Sequence, residues 1–242
     1  MFTVHDFLPS AIIDVLGEAP ALPPGLETEV QGLWEAEQER RSNPLFNGRI
    51  LSASDIAPSR ITGHVVEYRR WVAQRARPDL FVALRVRPVA VSGLLQCADG
   101  VVFGRRAGTT TQDAGMWELV PSGGVDTSDV ERMSRADIRG QILTELHEEV
   151  GLTPDKVTEV MPFCLVDDHD SHVIDIGIGL KAPGLAADEV LRAHRESGSG
   201  EYGELAVVAQ EHLAEFIERM SPGVVSVSLA LLHEYERLDY RV

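Results

Sequence analysis

Two cysteines, Cys97 and Cys164, are all that the 242 residues contain. That is too few for a disulfide framework or a cysteine-built zinc site, and each is expected to pack as a small buried hydrophobe. Positive charge is scarce as well: 22 Lys and Arg stand against 38 Asp and Glu, for a net charge of −16. Binding DNA or RNA rests on Lys and Arg neutralising phosphates, so nucleic acid is not expected as a partner. A small anionic ligand stays open, because a bound cation and a few local arginines outweigh the overall field near a site. No apolar run approaches the roughly 20 residues of a membrane span. The start, Met1-Phe2-Thr3-Val4-His5-Asp6, lacks a basic leader followed by an apolar stretch. A cytoplasmic protein with no membrane partner is therefore the expectation. No internal repeat is visible. Hydrophobic residues at 44% and charged residues at 25% are ordinary globular values, and the length suffices for a sizeable core.

Against that background one acidic stretch stands out, Gln141 to Leu152, preceded by the turn Pro121-Ser122-Gly123-Gly124. Glu145, Glu148 and Glu149 fall at i, i+3 and i+4, so a helix projects the three carboxylates from one face within a turn of one another. A solvated helix face normally interleaves such charges with Lys or Arg. Here the nearest basic residue upstream is Arg139, and the next downstream is Lys156. A divalent cation relieves the repulsion, and clustered hard oxygen ligands suit Mg²⁺ or Mn²⁺. Gly151 sits where the helix needs a left-handed C-cap.

The octet Glu145-Leu146-His147-Glu148-Glu149-Val150-Gly151-Leu152 resembles the second half of the Nudix box, G-x5-E-x7-R-E-U-x-E-E-x-G-U with U aliphatic. Met116 to Gly124 is similar to the strand and glycine turn that precede the helix in that family. The first half departs from the pattern. Thr144 stands where the box has Arg, Ala136 where it has the earlier Glu, and Gly124 lies 21 positions before Glu145. The consensus needs about 15, so the loop entering the helix holds about six extra residues. Glu131, Asp126 and Asp137 all remain open as substitutes for the early Glu. The family arginine orients a catalytic glutamate by charge-assisted hydrogen bonding, so its absence bears on activity.

The resemblance implies an α+β fold, a Nudix α/β/α sandwich with a mixed sheet, over residues 81–242, with residues 1–80 as an N-terminal extension or cap. It implies a metal-dependent hydrolase that cleaves a diphosphate bond in a nucleoside diphosphate linked to another moiety. A short likeness at Phe46-Asn47-Gly48 to a UDP-sugar subgroup favours a nucleotide sugar, although the same residues suit a plain surface hairpin turn. Glu145, Glu148 and Glu149 would be catalytic and, with Glu204, would hold Mg²⁺ or Mn²⁺. Glu145, Glu201 and Glu204 are alternatives for the base that takes a proton from water. Gly123, Gly124, Arg105 and Arg106 would meet the substrate, with solvated strand-end arginine as the plain alternative. Glu118 is a weaker candidate for the metal shell, its alternation also suiting an exposed strand face. Many members of the family dimerise, which leaves a homodimer open. Two other readings remain: a catalytically weak nucleotide sensor with a protein partner, and an isomerase of prenyl diphosphates, for which Cys97 lacks the surrounding motif.

Elsewhere the pattern predicts helices over Gly25 to Arg41 and His64 to Arg77, the first ended by Ser42-Asn43-Pro44, with Leu45 to Leu51 a turn into a strand. Strands are expected at Phe81 to Val86, Val89 to Leu95, Val101 to Arg106, Lys156 to Leu165 and Val173 to Leu180, with an Asp99-Gly100 hairpin turn. Asp167 to His172 reads as a solvated turn between strands rather than a metal site. In Val173 to Leu180, Asp175, Gly177 and Gly179 share the face opposite the isoleucines, where glycine permits close approach of a ligand or a backbone. Ala182 to Gly200 reads as a flexible loop, Glu211 to Met220 as an amphipathic helix, and Ser221-Pro222 as the start of a last helix presenting Val224, Val227, Leu231 and Leu232 inward. Trp117 is expected in the core.

Overall fold

The computed structural model describes residues 1–41, 44–110, 112–127 and 134–238. In chain order the elements are β1 (Phe2–Asp6), β2 (Ile12–Glu18), α1 (Pro24–Glu39), β3 (Arg49–Ala57), β4 (Arg60–Glu67), α2 (Tyr68–Ala76), α3 (Phe81–Leu84), β5 (Val89–Cys97), β6 (Gly100–Arg106), β7 (Trp117–Leu119), β8 (Ser122–Gly124) and β9 (Arg135–Ala136). There follow α4 (Ile138–Glu145), running into a π-helical turn at Leu146–Val150, then β10 (Glu159–Asp168), β11 (Ile174–Ala182), α5 (Ala187–Ser197), β12 (Tyr202–Val208), α6 (Leu213–Met220) and α7 (Ser226–Arg237).

The fold is α+β, as the pattern implied. An eight-stranded sheet runs β1-β10-β11-β5-β6-β12, with β7 on β6 and β8 on β5. It is mixed, β11 and β5 being parallel and the other pairs antiparallel. A second sheet runs β3-β4-β2-β9. Residues 1–80 thus share both sheets with later residues, through β1 on β10 and β2 on β9.

The alternation in β11 shows why the main sheet is sandwiched. Ile174, Ile176, Ile178 and Leu180 bury one face together with Ile142, Leu146 and Val150 of the acidic helix and Val190 of α5. The opposite face belongs to α6 and α7, through Phe216, Leu231 and Tyr235. Gly177 and Gly179 lie on that side. A Cβ on Gly177 would stand 2.5 Å from Leu231 and 2.9 Å from Phe163, so these glycines admit packed side chains of the protein itself. Trp117 is core, edge-on to Phe216. Both cysteines are buried. Among the described residues no helix is long and apolar enough to cross a membrane.

Four sequence expectations give way to longer-range packing. His64 to Glu67 belongs to β4, and the helix starts only at Tyr68. Phe81–Leu84 is a single helical turn instead of a strand, with Val82 77% exposed. The reason lies in Gln74: its side chain donates to the Val86 carbonyl at 2.8 Å and accepts the Val86 N–H at 2.9 Å, taking the bonds a neighbouring strand would have made. Residues 187–197 form α5, not a loop, because Val190 is fully buried and Glu189 accepts the N–H of Ala186 at the helix start. The last helix begins at Ser226, since the Val225 N–H donates to the Trp117 carbonyl and the Trp117 N–H to that of Gly223, holding the preceding segment extended.

Candidate active site

A cavity of about 1090 Å³ is bounded by residues of both sheets. Glu118, Ser122, Gly123 and Gly124 line it from β7 and β8, Arg106 from β6, and Ser92 and Asp175 from β5 and β11. Glu201 enters just before β12, Asp168 from the end of β10, Asp170 and Ser171 from the turn after it, and Tyr68, Trp71 and Arg75 from α2.

The acidic helix packs behind the β8 turn, and its glutamates 149 and 145 touch the turn at Ser122 and Gly123 without lining the cavity themselves. Asp137 caps its N-terminus, accepting the Gly140 N–H at 2.9 Å. At Leu146 the winding widens to a π turn, and Gly151 closes it at φ 78°. The wider turn parts the three glutamates. Glu149 turns inward and is 2% exposed, Glu145 is half-buried, and Glu148 faces solvent. One oxygen of Glu149 accepts the Ser122 N–H at 2.9 Å; the other is buried with no hydrogen-bond partner among the described residues. Glu145 accepts from the Gln141 amide at 2.7 Å and lies against Gly123, where a Cβ would stand 2.0 Å from its Oε1. Position 123 must be glycine for that carboxylate to sit there. Position 124 differs, with open space where a side chain would project.

Across the turn, Arg106 bonds Glu118 and reaches Glu201 at 3.2 Å. Tyr202 donates to Glu118 at 2.9 Å and its hydroxyl is 3.3 Å from that of Ser122. Five glutamates, 118, 145, 148, 149 and 201, thus form one electrostatic group, with Arg106 as their one ion-paired cation among the described residues. Burial is the main cause of the result, and like charge adds to it: the Glu145 carboxyl is pushed up to about 7. Glu149 lies far above the usual carboxylate range, and Glu118 is raised because desolvation outweighs Arg106 and Tyr202. Among the described residues, no three His, Cys, Asp or Glu side chains are gathered closely enough to grip a metal ion unaided.

Some expected site residues come together here and others do not. Glu145 and Glu149 meet the β8 turn at Gly123 and Ser122, whereas Gly123, Gly124 and Arg106 line the cavity and Arg106 pairs with Glu118 and Glu201. Arg105 is exposed and donates to the Gly115 carbonyl at 3.2 Å, away from the cavity. Glu204 is exposed on β12, paired in register with Arg105, and does not line the cavity; Glu201 does. Glu118 is buried, not on an exposed strand face, because β7 is covered by β6 and Tyr202. Of the substitutes for an early Glu, Asp137 is engaged as the helix cap, Asp126 is exposed, and Glu131 lies outside the described residues. The Thr144 hydroxyl donates to the Gly140 carbonyl at 3.1 Å, on the exposed side of the helix. Neither cysteine lines the cavity. Of the turn expected over Asp167 to His172, Asp167 and Asp168 instead end β10, and only residues 169–171 turn, with Ser171 buried and donating to Asp168 at 2.6 Å. Ser92, Tyr202 and the aromatic wall of Tyr68 and Trp71 had no local signal. Asp175 had one, a carboxylate in an otherwise apolar strand.

No protein-family model matches the chain, and no curated protein matches it. Among solved structures it is similar to DR0079 from Deinococcus radiodurans, at 13% identity over 78% of this chain and 99% of that one, with a TM-score of 0.49. It is similar also to the NUDIX domain of Shewanella oneidensis NrtR complexed with ADP ribose, at 15% identity over 67% and 98% of the two chains, TM-score 0.47. A third is a bifunctional NMN adenylyltransferase/ADP ribose pyrophosphatase from Francisella tularensis complexed with AMP and a Mn ion, at 14% identity over 66% and 45%, TM-score 0.44. At such identities and TM-scores the similarity carries no argument about activity.

Proposed function

We propose that this chain is a Nudix-type diphosphatase, dependent on Mg²⁺ or Mn²⁺, that cleaves the diphosphate of a nucleoside diphosphate joined to another moiety, a nucleotide sugar being the favoured substrate. Residues 81–242 are the hydrolase unit in this reading and residues 1–80 its cap, which brings Tyr68, Trp71 and Arg75 to the cavity. A cytoplasmic location and a homodimer belong to the same proposal.

One observation carries it: Glu149 is buried with an unpartnered oxygen beside three further glutamates and a single paired arginine. An isolated buried carboxylate is costly unless neutralised or paired. The donor set is all hard oxygen, which fits Mg²⁺ or Mn²⁺ and not a soft metal. The lack of a ready three-residue cage also fits, because Mg²⁺ is usually held by one or two carboxylates while waters and substrate phosphates complete its shell. Glu149 and Glu145 would hold the ion, with Glu148 at the solvent side. When bound, such an ion neutralises charge on the phosphate oxygens and makes water a better nucleophile. Glu201, which lines the cavity beside Arg106, would accept the proton of the attacking water. Bare backbone at Gly124, with open space in front of it, would leave room for the diphosphate on the cavity wall. The exposed Thr144 favours one alternative, a sensor that binds the nucleotide and turns it over poorly.

The test is an Mg²⁺-dependent screen over UDP-sugars, ADP-sugars, dinucleotides and coenzyme A, following release of nucleoside monophosphate beside a Glu149→Gln control. Metal-dependent release lost in the control supports hydrolysis at the glutamate face. Tight binding without turnover would favour the sensor, and neither binding nor turnover would overturn both.

A further inference from the structure

Of the aspartates that line the cavity, 113, 168, 170 and 175, Asp175 is the buried one, and it is not a member of the glutamate cluster. It is 9% exposed, in a strand whose neighbours on either side are fully buried isoleucines. Ser92, on the adjacent parallel strand, donates to its Oδ1 at 3.0 Å. Its second oxygen has no hydrogen-bond partner among the described residues, although the side chain lines the cavity. The charged groups that act on it, Glu118 and Asp168, are both acidic. Those two are already engaged: Glu118 by Arg106 and Tyr202, Asp168 by the Ser171 hydroxyl and the Asp170 N–H. A cation would therefore find a single uncommitted oxygen here, far short of a metal shell. A ligand hydroxyl asks for less. It donates one hydrogen bond to a carboxyl oxygen, and the Ser92 oxygen retains acceptor capacity for a second.

Position narrows the ligand further. Ser92 is the register partner of Ser122, whose N–H holds Glu149, so the pair lies one strand from the proposed diphosphate end. On the other side, the Ser171 carbonyl accepts from the Trp71 indole at 3.0 Å, which sets the aromatic wall.

We infer that Asp175 and Ser92 form a hydroxyl-reading pair that holds the polyhydroxylated group joined to the diphosphate. The inference rests on the diphosphatase reading and assigns the specificity of that site to two buried side chains. A ligand without hydroxyls leaves the Asp175 carboxyl unpaired in a buried site, which penalises it more than an ordinary lost surface contact.

The experiment is titration calorimetry with Mg²⁺ present, using α,β-methylene analogues that cannot be cleaved at the bridge: those of UDP-glucose and ADP-glucose against those of UDP and ADP. The wild type should bind the sugar-bearing analogues more tightly. Asp175→Asn, which keeps the shape of the side chain, and Ser92→Ala, which removes only a hydroxyl, should each cut that advantage about tenfold. Affinity for the sugarless analogues should move less than about twofold, and near-ultraviolet circular dichroism checks the fold. An unchanged advantage in both variants would overturn the inference and leave the diphosphatase reading standing. Equal losses for both kinds of analogue would place Asp175 at the diphosphate and also overturn it. If the wild type bound neither kind, the diphosphatase reading itself would fall, and the inference with it.

Discussion

Replacing Asp175 by Asn should stabilise the protein at alkaline pH while leaving it unchanged near pH 4. The Asp175 carboxyl holds its proton up to about 7 in the folded state, against 3.8 for an unperturbed Asp. Burial is the main cause; the charges of Glu118 and Asp168 push the same way, and only the Ser92 hydroxyl opposes them. Because the folded state binds this proton more tightly, the stabilisation is fully present below about pH 4 and is lost as pH rises, levelling off above about 7. At about 1.4 kcal/mol per pH unit, the interval is worth about 4 kcal/mol, an upper limit for a side chain that borders a cavity. About 2.5 kcal/mol of it falls between pH 5 and pH 8. An Asn is neutral throughout, and its carbonyl still accepts from Ser92, so the variant escapes that loss. Urea unfolding of both proteins at pH 5, 6, 7 and 8, followed by tryptophan fluorescence, reads the difference directly. Other titrating groups, Glu145 and Glu149 included, cancel between the two chains. A stability difference that stays flat with pH, or an Asn variant weaker at pH 8, would refute the reasoning.

Glu149→Gln should lower metal-dependent release of nucleoside monophosphate about 10³-fold while the melting temperature holds or rises, since the amide carries no charge into a buried site; a chromatographic product assay beside calorimetry checks both. Arg106→Ala strips the buried Glu118 of its cation and should cost about 3–5 kcal/mol in denaturant unfolding. Adding Glu118→Gln to it should recover more than half, and an additive loss would count against the pair. In Gly123→Ala the new Cβ must displace the Glu145 carboxyl, so a folded protein with its melting point down by a few degrees and kcat down about tenfold is expected from thermal melts and steady-state rates. Chelation by EDTA should stop turnover, and added Mn²⁺ or Mg²⁺ should restore it in the same product assay.

What could be read beforehand was what the chain encodes over a few residues. The isoleucine alternation of β11 and the left-handed glycine after the acidic helix depend only on neighbours, and both are where the pattern puts them. Phe81 to Leu84 misled because the deciding bonds come from Gln74, on a different element, and pure β-propensity does not see them. The Ser-Gly-Ser-Gly run from Ser197 to Gly200 marks only the end of α5, a helix that depends on Val190 reaching the core. Choosing between Glu201 and Glu204 depended on a register irregularity between Tyr202 and Glu204. A break in register reverses which face a residue takes, and no local residue announces it. Ser92 and Asp175 are 83 positions apart. Their bond exists only because β5 and β11 pair in parallel, a topological fact with no signature in either strand alone.

The departures from the family pattern acquire a physical meaning in the site. Where the box would place an arginine, Thr144 turns its hydroxyl to its own helix, so no guanidinium from this helix neutralises the glutamates. Their orientation comes from neutral donors: the Gln141 amide fixes Glu145, and the Ser122 N–H fixes Glu149. Neutral donors orient without cancelling charge. Among the described residues the one arginine ion-paired in the cluster, Arg106, is spent on Glu118 and Glu201 on the far side of the β8 turn. The helix carboxylates are thereby left positioned but uncompensated; burial first, and the like charge of Glu148 and Glu201 after it, push the Glu145 carboxyl up to about 7. Metal binding should accordingly release protons, and affinity for Mg²⁺ should climb as pH rises through that range. Calorimetric titration of Mg²⁺ in buffers of different ionisation enthalpy counts those protons; a count of zero at pH 6.5 would mean that the ion, if it binds, binds elsewhere.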